Sequence, residues 1–170
     1  ASDGAELWAY VPTAVMPKMY RLADFDYGHL YYVDGGPVVG DVFDGTAWRT
    51  ILVGGLGAGG RAYYALDVTD PAHPKALWEF STSNSANLGL TFGNPMIAKN
   101  KAGTWVVLFS SGYNNVSPGD GNGRLYVLNA VTGAQITAIP TYTSGTTPAG
   151  STTTPNNLGR ISAWVHAEAD

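Results

Sequence analysis

The stretch that decides the fold reads GPVVGDVFDGTAWRTILVGGLGAGGRAYYALDVTDPAHPKALWEF and spans residues 36–80. A diverged copy, GNPMIAKNKAGTWVVLFSSGYNNVSPGDGNGRLYVLNAVTGAQI, occupies 93–136 with an offset of about 58 residues, and such periodic self-similarity is typical of repeat architectures. The alignment matches five landmarks: Pro37 with Pro95, Trp48 with Trp105, Gly55 with Gly112, Tyr64 with Tyr126, and Leu66-Asp67 with Leu128-Asn129.

Each copy contains four short runs that are rich in Val, Ile, Tyr and Trp and are separated by Gly, Asp and Pro turns. The predicted strands are 37–43, 48–54, 61–68 and 75–80 in the first copy, and 95–99, 104–111, 123–129 and 134–139 in the second. The one weak helical run is Met16 to Leu22. Four antiparallel strands per unit predict an all-β fold made of β-propeller blades.

The repeat divides the chain into a partial blade over 1–35, whole blades over 36–80 and 93–139, and the start of a further blade over 158–170. Since propellers close with roughly 4–8 blades, we expect an incomplete propeller fragment whose exposed blade edges favour self-association. The Thr/Ser/Gly/Pro-rich segment 141–157 is predicted to be a mobile loop.

Composition narrows the function classes. The 170 residues are 45% hydrophobic and only 13% charged, and the formal net charge is -4. This balance disfavours a nucleic-acid binder, which needs a basic surface. The chain has no cysteine, hence no disulfide, and no apolar run long enough to span a membrane. Its start lacks the features of a signal peptide, and we expect it to be a piece of a longer protein.

One motif points to a nucleotide site that its surroundings do not support. Gly55 to Gly60 satisfies G-x-G-x-x-G, but the aromatic run RAYYALDV follows where a dinucleotide site needs a helix. A hairpin turn is therefore favoured. The three histidines are isolated and form no zinc motif.

Acidic turns supply the candidate metal ligands. The run Asp120-Gly121-Asn122-Gly123 begins like a calcium loop, but the fifth and twelfth positions are Arg124 and Val131. A glycine-rich turn is favoured there, with a weak calcium site as the alternative. The candidate calcium ligands, taken from this turn, from GDVFDG and from the chain end, are Asp41, Asp44, Asp120, Asn122, Glu168 and Asp170.

Four tryptophans recur at matching positions, Trp8 with Trp78 and Trp48 with Trp105. Residues that recur once per blade usually pack blade against blade. Stacking on a sugar ring or a quinone is the alternative.

Five stretches together are similar to the C-terminal β-propeller of the PilY/PilC-type type IV pilus biogenesis factors: YYVDGGPVVGDVF, TILVGGLGAGGRAYYALDVTDP, ALWEF, LGLTFGNPMIAK and GRLYVLNAVTGA. The resemblance implies a modified propeller with quinoprotein-dehydrogenase-like blades. It also implies a non-enzymatic module that promotes pilus extension by opposing retraction, with adhesion as a second role. The implied location is the cell surface or pilus of a Gram-negative bacterium, after export through a signal peptide absent from this chain.

The resemblance further implies pilin or other pilus components as partners, a host-cell surface ligand for adhesion, and calcium as the candidate cofactor. Long segments at 11–29, 81–94, 113–122 and 140–157 are the candidate binding loops. Two alternatives remain open: a fragment of a quinone-dependent dehydrogenase, because those enzymes share such blades, and a peptide-binding propeller scaffold.

Overall fold

The computed structural model describes residues 4–163. It contains one 3-10 helix, Met16–Ala23, at the weak helical run of the sequence. The strands are β1 Val38–Phe43, β2 Trp48–Gly55, β3 Ala62–Asp67, β4 Lys75–Ser81, β5 Met96–Lys99, β6 Trp105–Ser110, β7 Arg124–Asn129, β8 Gln135–Pro140, β9 Tyr142–Ser144 and β10 Thr147–Pro148. No helix among these residues has the length and hydropathy of a membrane span.

The strands form two four-stranded antiparallel sheets in sequential order, β1-β2-β3-β4 (the first sheet) and β5-β6-β7-β8 (the second sheet). Each sheet is a meander of hairpins closed by Gly- and Asp-containing turns, and all eight predicted strands are present. The all-β fold class with blade-like sheets is confirmed. The division into partial blades at 1–35 and 158–170 stays a prediction.

The main hydrophobic core lies between the two sheets. Phe109 of β6 is fully buried and stacks on Tyr63 of β3, with ring centroids 4.0 Å apart. Phe80 and Tyr126 flank the same ring at 5.5 Å each. Alternate residues of each strand point to one face, so this one layer of aromatic rings joins the facing sides of both sheets.

A second core covers the opposite face of the first sheet. Leu56, Tyr64 and Leu66 pack there against the N-terminal segment, where Val15 is buried. The ring of Tyr10 lies 5.2 Å from that of Tyr64. The N-terminal segment therefore stands where a neighbouring blade packs in a propeller.

Two glycines lie just beyond the ends of β2 and β6. Gly57 and Gly112 both have positive φ, 57° and 74°. Each forms an isolated antiparallel bridge, Gly57 with Thr91 and Gly112 with Leu158. The structural repeat therefore pairs Gly57 with Gly112, and the predicted pairing of Gly55 with Gly112 is wrong by two residues.

The same shift applies to Trp48 and Trp105. The β1–β2 ladder has six residue pairs and the β5–β6 ladder has four, so Trp48 lies two positions further out along its hairpin. The predicted contact between the sheets is nevertheless confirmed, because the two indole rings lie 5.8 Å apart in an edge-to-face arrangement.

The outer tryptophans behave as a repeated packing unit. Trp8 Nε1 donates to the carbonyl of Pro71, 2.8 Å away, in the β3–β4 turn. Trp78 Nε1 donates to the carbonyl of Ala130, 2.9 Å away, in the β7–β8 turn of the second sheet. Each indole thus reaches the outer turn of the following sheet, as the packing interpretation predicts.

Segment 141–157 differs from the loop predicted for it. It contains the β9–β10 hairpin. Thr141 Oγ1 accepts a hydrogen bond of 2.7 Å from Asn156 Nδ2, and Thr141 N donates 2.9 Å to Gly123 O. Side-chain amides therefore fix a segment that has few apolar anchors.

Candidate functional site: a loop cluster joined by Arg61

Three of the candidate binding loops come together at one end of the sheets. We call segments 81–94, 113–122 and 140–157 the loop cluster. Asp120 N donates to Asn87 Oδ1 at 2.8 Å, which joins the first two segments. Asn114 N donates to Asn157 Oδ1 at 2.9 Å, which joins the second to the third. Backbone amides are strong donors, so these contacts hold the loops in one arrangement.

Asn122 is the buried centre of this network. Its Nδ2 donates to Thr141 O at 3.1 Å, and its Oδ1 accepts hydrogen bonds from Thr141 Oγ1 at 2.9 Å and Gly150 N at 3.0 Å. A buried side-chain amide needs partners for its donors and its acceptor, and Asn122 has them on both sides. The candidate calcium ligand Asn122 thus joins its own segment to Thr141 and Gly150 by hydrogen bonds.

Arg61 connects the loop cluster to the first sheet. Its guanidinium donates to the carbonyls of Ser117 and Asn114. Arg61 also lines a cavity of about 350 Å³ together with Thr13 and Glu79, and so brings the fourth candidate loop, 11–29, to the same place. The rigid fork of donors on arginine suits two carbonyls of one loop. No sequence pattern singles out Arg61, because its partners are backbone atoms more than 50 residues away.

Replacing Arg61 with Ala is expected to loosen segment 113–119 while leaving the sheets intact, because two charge-assisted hydrogen bonds to its backbone are lost. Amide hydrogen exchange in that segment should accelerate by about tenfold, with the free energy of unfolding lowered by only about 1 kcal/mol. Arg21→Ala, which removes an arginine outside the cluster, is the control. Unchanged exchange in 113–119 would show that Arg61 does not hold the loop.

The acidic side chains of the candidate calcium turns have partners within the protein. Asp120 makes a two-point ion pair with Arg124, at 2.8 and 2.6 Å, and Asp44 pairs with Arg49 and accepts from Thr46 and Ala47. Asp41 accepts a hydrogen bond of 2.7 Å from Thr50 Oγ1, its cross-strand partner in the first sheet. Within residues 4–163, no group of three or more His, Cys, Asp and Glu side chains lies close enough together to hold a metal ion. Glu168 and Asp170 lie outside the described residues. Calcium binding at any of the six candidate residues stays a prediction.

Arg49 instead links two carboxylates across the first sheet. It reaches Asp44 in the β1–β2 turn and Asp67 at the end of β3, the latter at 2.9 Å. Burial alone would raise the pKa of Asp67, but hydrogen bonds from Thr69 and Arg49 outweigh it and lower the pKa. Hydrogen bonds from Thr46, Ala47 and Arg49 hold the pKa of Asp44 far below its usual range.

The pH dependence of stability follows from these lowered values. A carboxyl with a lowered pKa in the folded state binds its proton more readily when unfolded, so acid favours unfolding. The free energy of unfolding should be nearly constant around neutral pH and fall once the pH drops below about 4. Urea unfolding between pH 7 and pH 3 measures this. Asp67→Asn should make the acid limb shallower, and an unchanged slope would contradict the role given to Asp67.

With this geometry established, comparison with known proteins assigns the family. The sequence profile of the PilY1 beta-propeller domain matches residues 9–158. The chain belongs to the PilY1 β-propeller family. The resemblance drawn from the repeat stretches is thereby confirmed, and the homology is to a pilus biogenesis factor and not to an enzyme family.

Individual PilY1 relatives agree with this assignment. A type IV pilus biogenesis factor PilY1 homolog of Xylella fastidiosa is 43% identical over 148 residues, which cover 85% of this chain and 12% of the relative. PilY1 of Pseudomonas aeruginosa strain PAO1 is 41% identical over 136 residues, covering 78% of this chain and 12% of that protein. The chain thus spans only about an eighth of the length of these relatives.

A solved PilY1 structure confirms the fold. The crystal structure of the Pseudomonas aeruginosa PilY1 C-terminal domain matches with a TM-score of 0.71 and 38% sequence identity. The match covers 87% of this chain and 29% of that domain. The two sheets described above therefore correspond to a part of the PilY1 propeller domain.

Proposed function

We propose that this chain is a binding part of a type IV pilus biogenesis factor that promotes pilus extension by opposing retraction, and that it acts without catalysis. The match of residues 9–158 to the PilY1 propeller carries the proposal. The partner is pilin or another pilus component. The location is the bacterial surface or the pilus, and adhesion to a host-cell surface ligand is a second role of the same parent protein.

The loop cluster is the surface that supports this proposal. Its segments are held by Asn122 and Arg61, so little conformational entropy remains to be lost on binding. Phe92 and Tyr113 belong to it and are partly exposed, with ring centroids 5.4 Å apart. Exposed aromatic side chains on a rigid support are typical anchors of protein interfaces.

Pilin binding tests the proposal with purified components. The chain is immobilised and the soluble domain of the major pilin of the source bacterium is titrated over it. We expect binding that Tyr113→Ala weakens by about tenfold, since tyrosines are common interface hot spots. Ile136→Ala, which removes an exposed apolar side chain from β8 in the second sheet, is the control and should have no effect.

Three results would contradict the proposal: no pilin binding, equal loss in the control, or binding unaffected by Tyr113→Ala. A parallel assay adds a quinone with calcium, and a primary alcohol as the electron donor, and follows dye reduction. The non-enzymatic proposal predicts no reduction above the rate without protein.

A further inference from the structure

A second surface lies at the opposite end of strands β2 and β6 from the loop cluster. It is a cleft of about 540 Å³, formed by the β1–β2, β5–β6 and β7–β8 turns, and a volume of this size suits a small ligand. We call it the aromatic cleft. The side chains that matter for its chemistry are Phe43, Trp48, Trp105, Lys99, Thr104 and Asn129.

Three aromatic rings form the wall of the cleft. Trp48 lies between the other two, 5.8 Å from Phe43 at an interplanar angle of 58° and 5.8 Å from Trp105 at 71°. Packing between the sheets leaves much of this wall open, because Trp48 is 61% exposed and Phe43 is 42% exposed. A contiguous apolar patch that remains exposed to solvent usually marks an interaction site.

The unpaired charge of the cleft is positive. Lys99 Nζ lies 5.9 Å from the ring centroid of Trp105 and has no ion pair within residues 4–163. The carboxylate at the rim, Asp44, is held by Arg49 and by the amides of its own turn. A cationic ligand would meet uncompensated repulsion from Lys99, whereas an anionic one would gain a charge-assisted hydrogen bond.

Neutral donors complete the set. Asn129 Oδ1 accepts from the amides of Val131 and Thr132, which leaves its Nδ2 without a hydrogen bond in the described part of the chain. Thr104 uses its backbone N–H towards Asn100, and its hydroxyl is likewise unused there. The cleft thus combines flat aromatic faces, two small polar groups and one ammonium.

We propose that the aromatic cleft binds an acidic sugar, a pyranose that carries a carboxylate. The polarised C–H face of the ring stacks on Trp48, whose π face is negative. The carboxylate meets Lys99, and ring hydroxyls meet Asn129 and Thr104. A peptide is the weaker fit, because the cleft offers turn side chains and not a free strand edge for backbone pairing. This site goes beyond the pilus role proposed above, and its test does not depend on pili.

The test uses the purified full chain and a hyaluronan tetrasaccharide, whose glucuronic acid rings carry the carboxylates, titrated in 0.15 M salt. Binding is followed by tryptophan fluorescence and calorimetry. Because the chain has a net charge of -4, non-specific attraction of an anion is disfavoured. Trp48→Ala should weaken binding by about tenfold. Lys99→Gln should weaken it by about fivefold and remove the preference over neutral chitotetraose.

Tyr20→Ala, which removes an exposed aromatic ring outside the cleft, is the matched control and should leave affinity unchanged. Lys99→Gln alters an exposed side chain and keeps the test valid even where Trp48→Ala disturbs folding. The proposal is overturned by no tetrasaccharide binding up to about 5 mM, a concentration at which even weak sites fill. Tetrasaccharide binding that neither variant alters would also overturn it. So would a phenylalanine-containing peptide that binds at Trp48 and is not displaced by the sugar.

Discussion

Replacing Phe109 with Ala is expected to lower the free energy of unfolding by about 3–5 kcal/mol, the largest effect of any single substitution considered. Phe109 is fully buried and contacts rings from both sheets, Tyr63 and Phe80 from the first and Tyr126 from its own. The vacated space lies at the junction between two rigid sheets, which limits collapse around it. The substitution should therefore weaken mainly the packing between the two sheets.

Urea unfolding of the purified chain, followed by far- and near-UV circular dichroism, measures the effect. At low urea the near-UV signal of the buried rings should be weaker than in the unsubstituted chain, while the far-UV signal still shows the strands. The urea midpoint of the far-UV transition should be lower than in the unsubstituted chain. Phe25→Ala removes a fully exposed ring and serves as the control, with an expected change below about 0.5 kcal/mol. A loss below about 1 kcal/mol for Phe109→Ala would contradict the view that this layer joins the sheets.

Replacing Gly112 with Ala is expected to cost about 2–4 kcal/mol, the second largest effect. Its φ is +74°, where an L side chain is strained, and an added Cβ would lie 2.0 Å from the backbone oxygen of Leu90. The segment that carries Leu90 would have to move. This should break the bridge between Gly112 and Leu158.

Gly45→Ala separates the two causes. Gly45 also has positive φ, +101°, but no atom lies within 4 Å of an added Cβ. The substitution should therefore cost only the strain of the backbone, about 1 kcal/mol. Equal losses of stability for Gly112→Ala and Gly45→Ala would show that close approach of the backbones is not what requires glycine at 112.

Local patterns predicted the sheets because the decisive signals are short-range. Runs such as RAYYALDV and TWVVLFSS are flanked by Gly, Asp and Pro, and turn residues at these places fix where strands begin and end. The two-residue error at Gly55 arose because the two copies have inner hairpins of different length. An alignment by residue identity cannot detect a change in ladder length.

The sites were less predictable because their partners are distant in sequence. Asp44 and Asp120 are the residue types of calcium ligands, but the arginines that neutralise them are recognised only in the folded chain. Polar side chains hold segment 141–157 in place, and its sequence shows no hydrophobic periodicity. The sequence therefore predicted a mobile loop there. The contact of Trp48 with the neighbouring sheet was correctly predicted. Its exposed fraction could not be predicted, because it depends on where the two hairpins end.

Surface piliation tests the central claim, that the parent protein promotes pilus extension by opposing retraction. The coding region of this chain is deleted in the source bacterium, and sheared surface pilin is quantified with retraction active and with retraction disabled. The account predicts that pili are lost in the first background and restored in the second. Normal piliation after the deletion, or pili still absent once retraction is disabled, would contradict it.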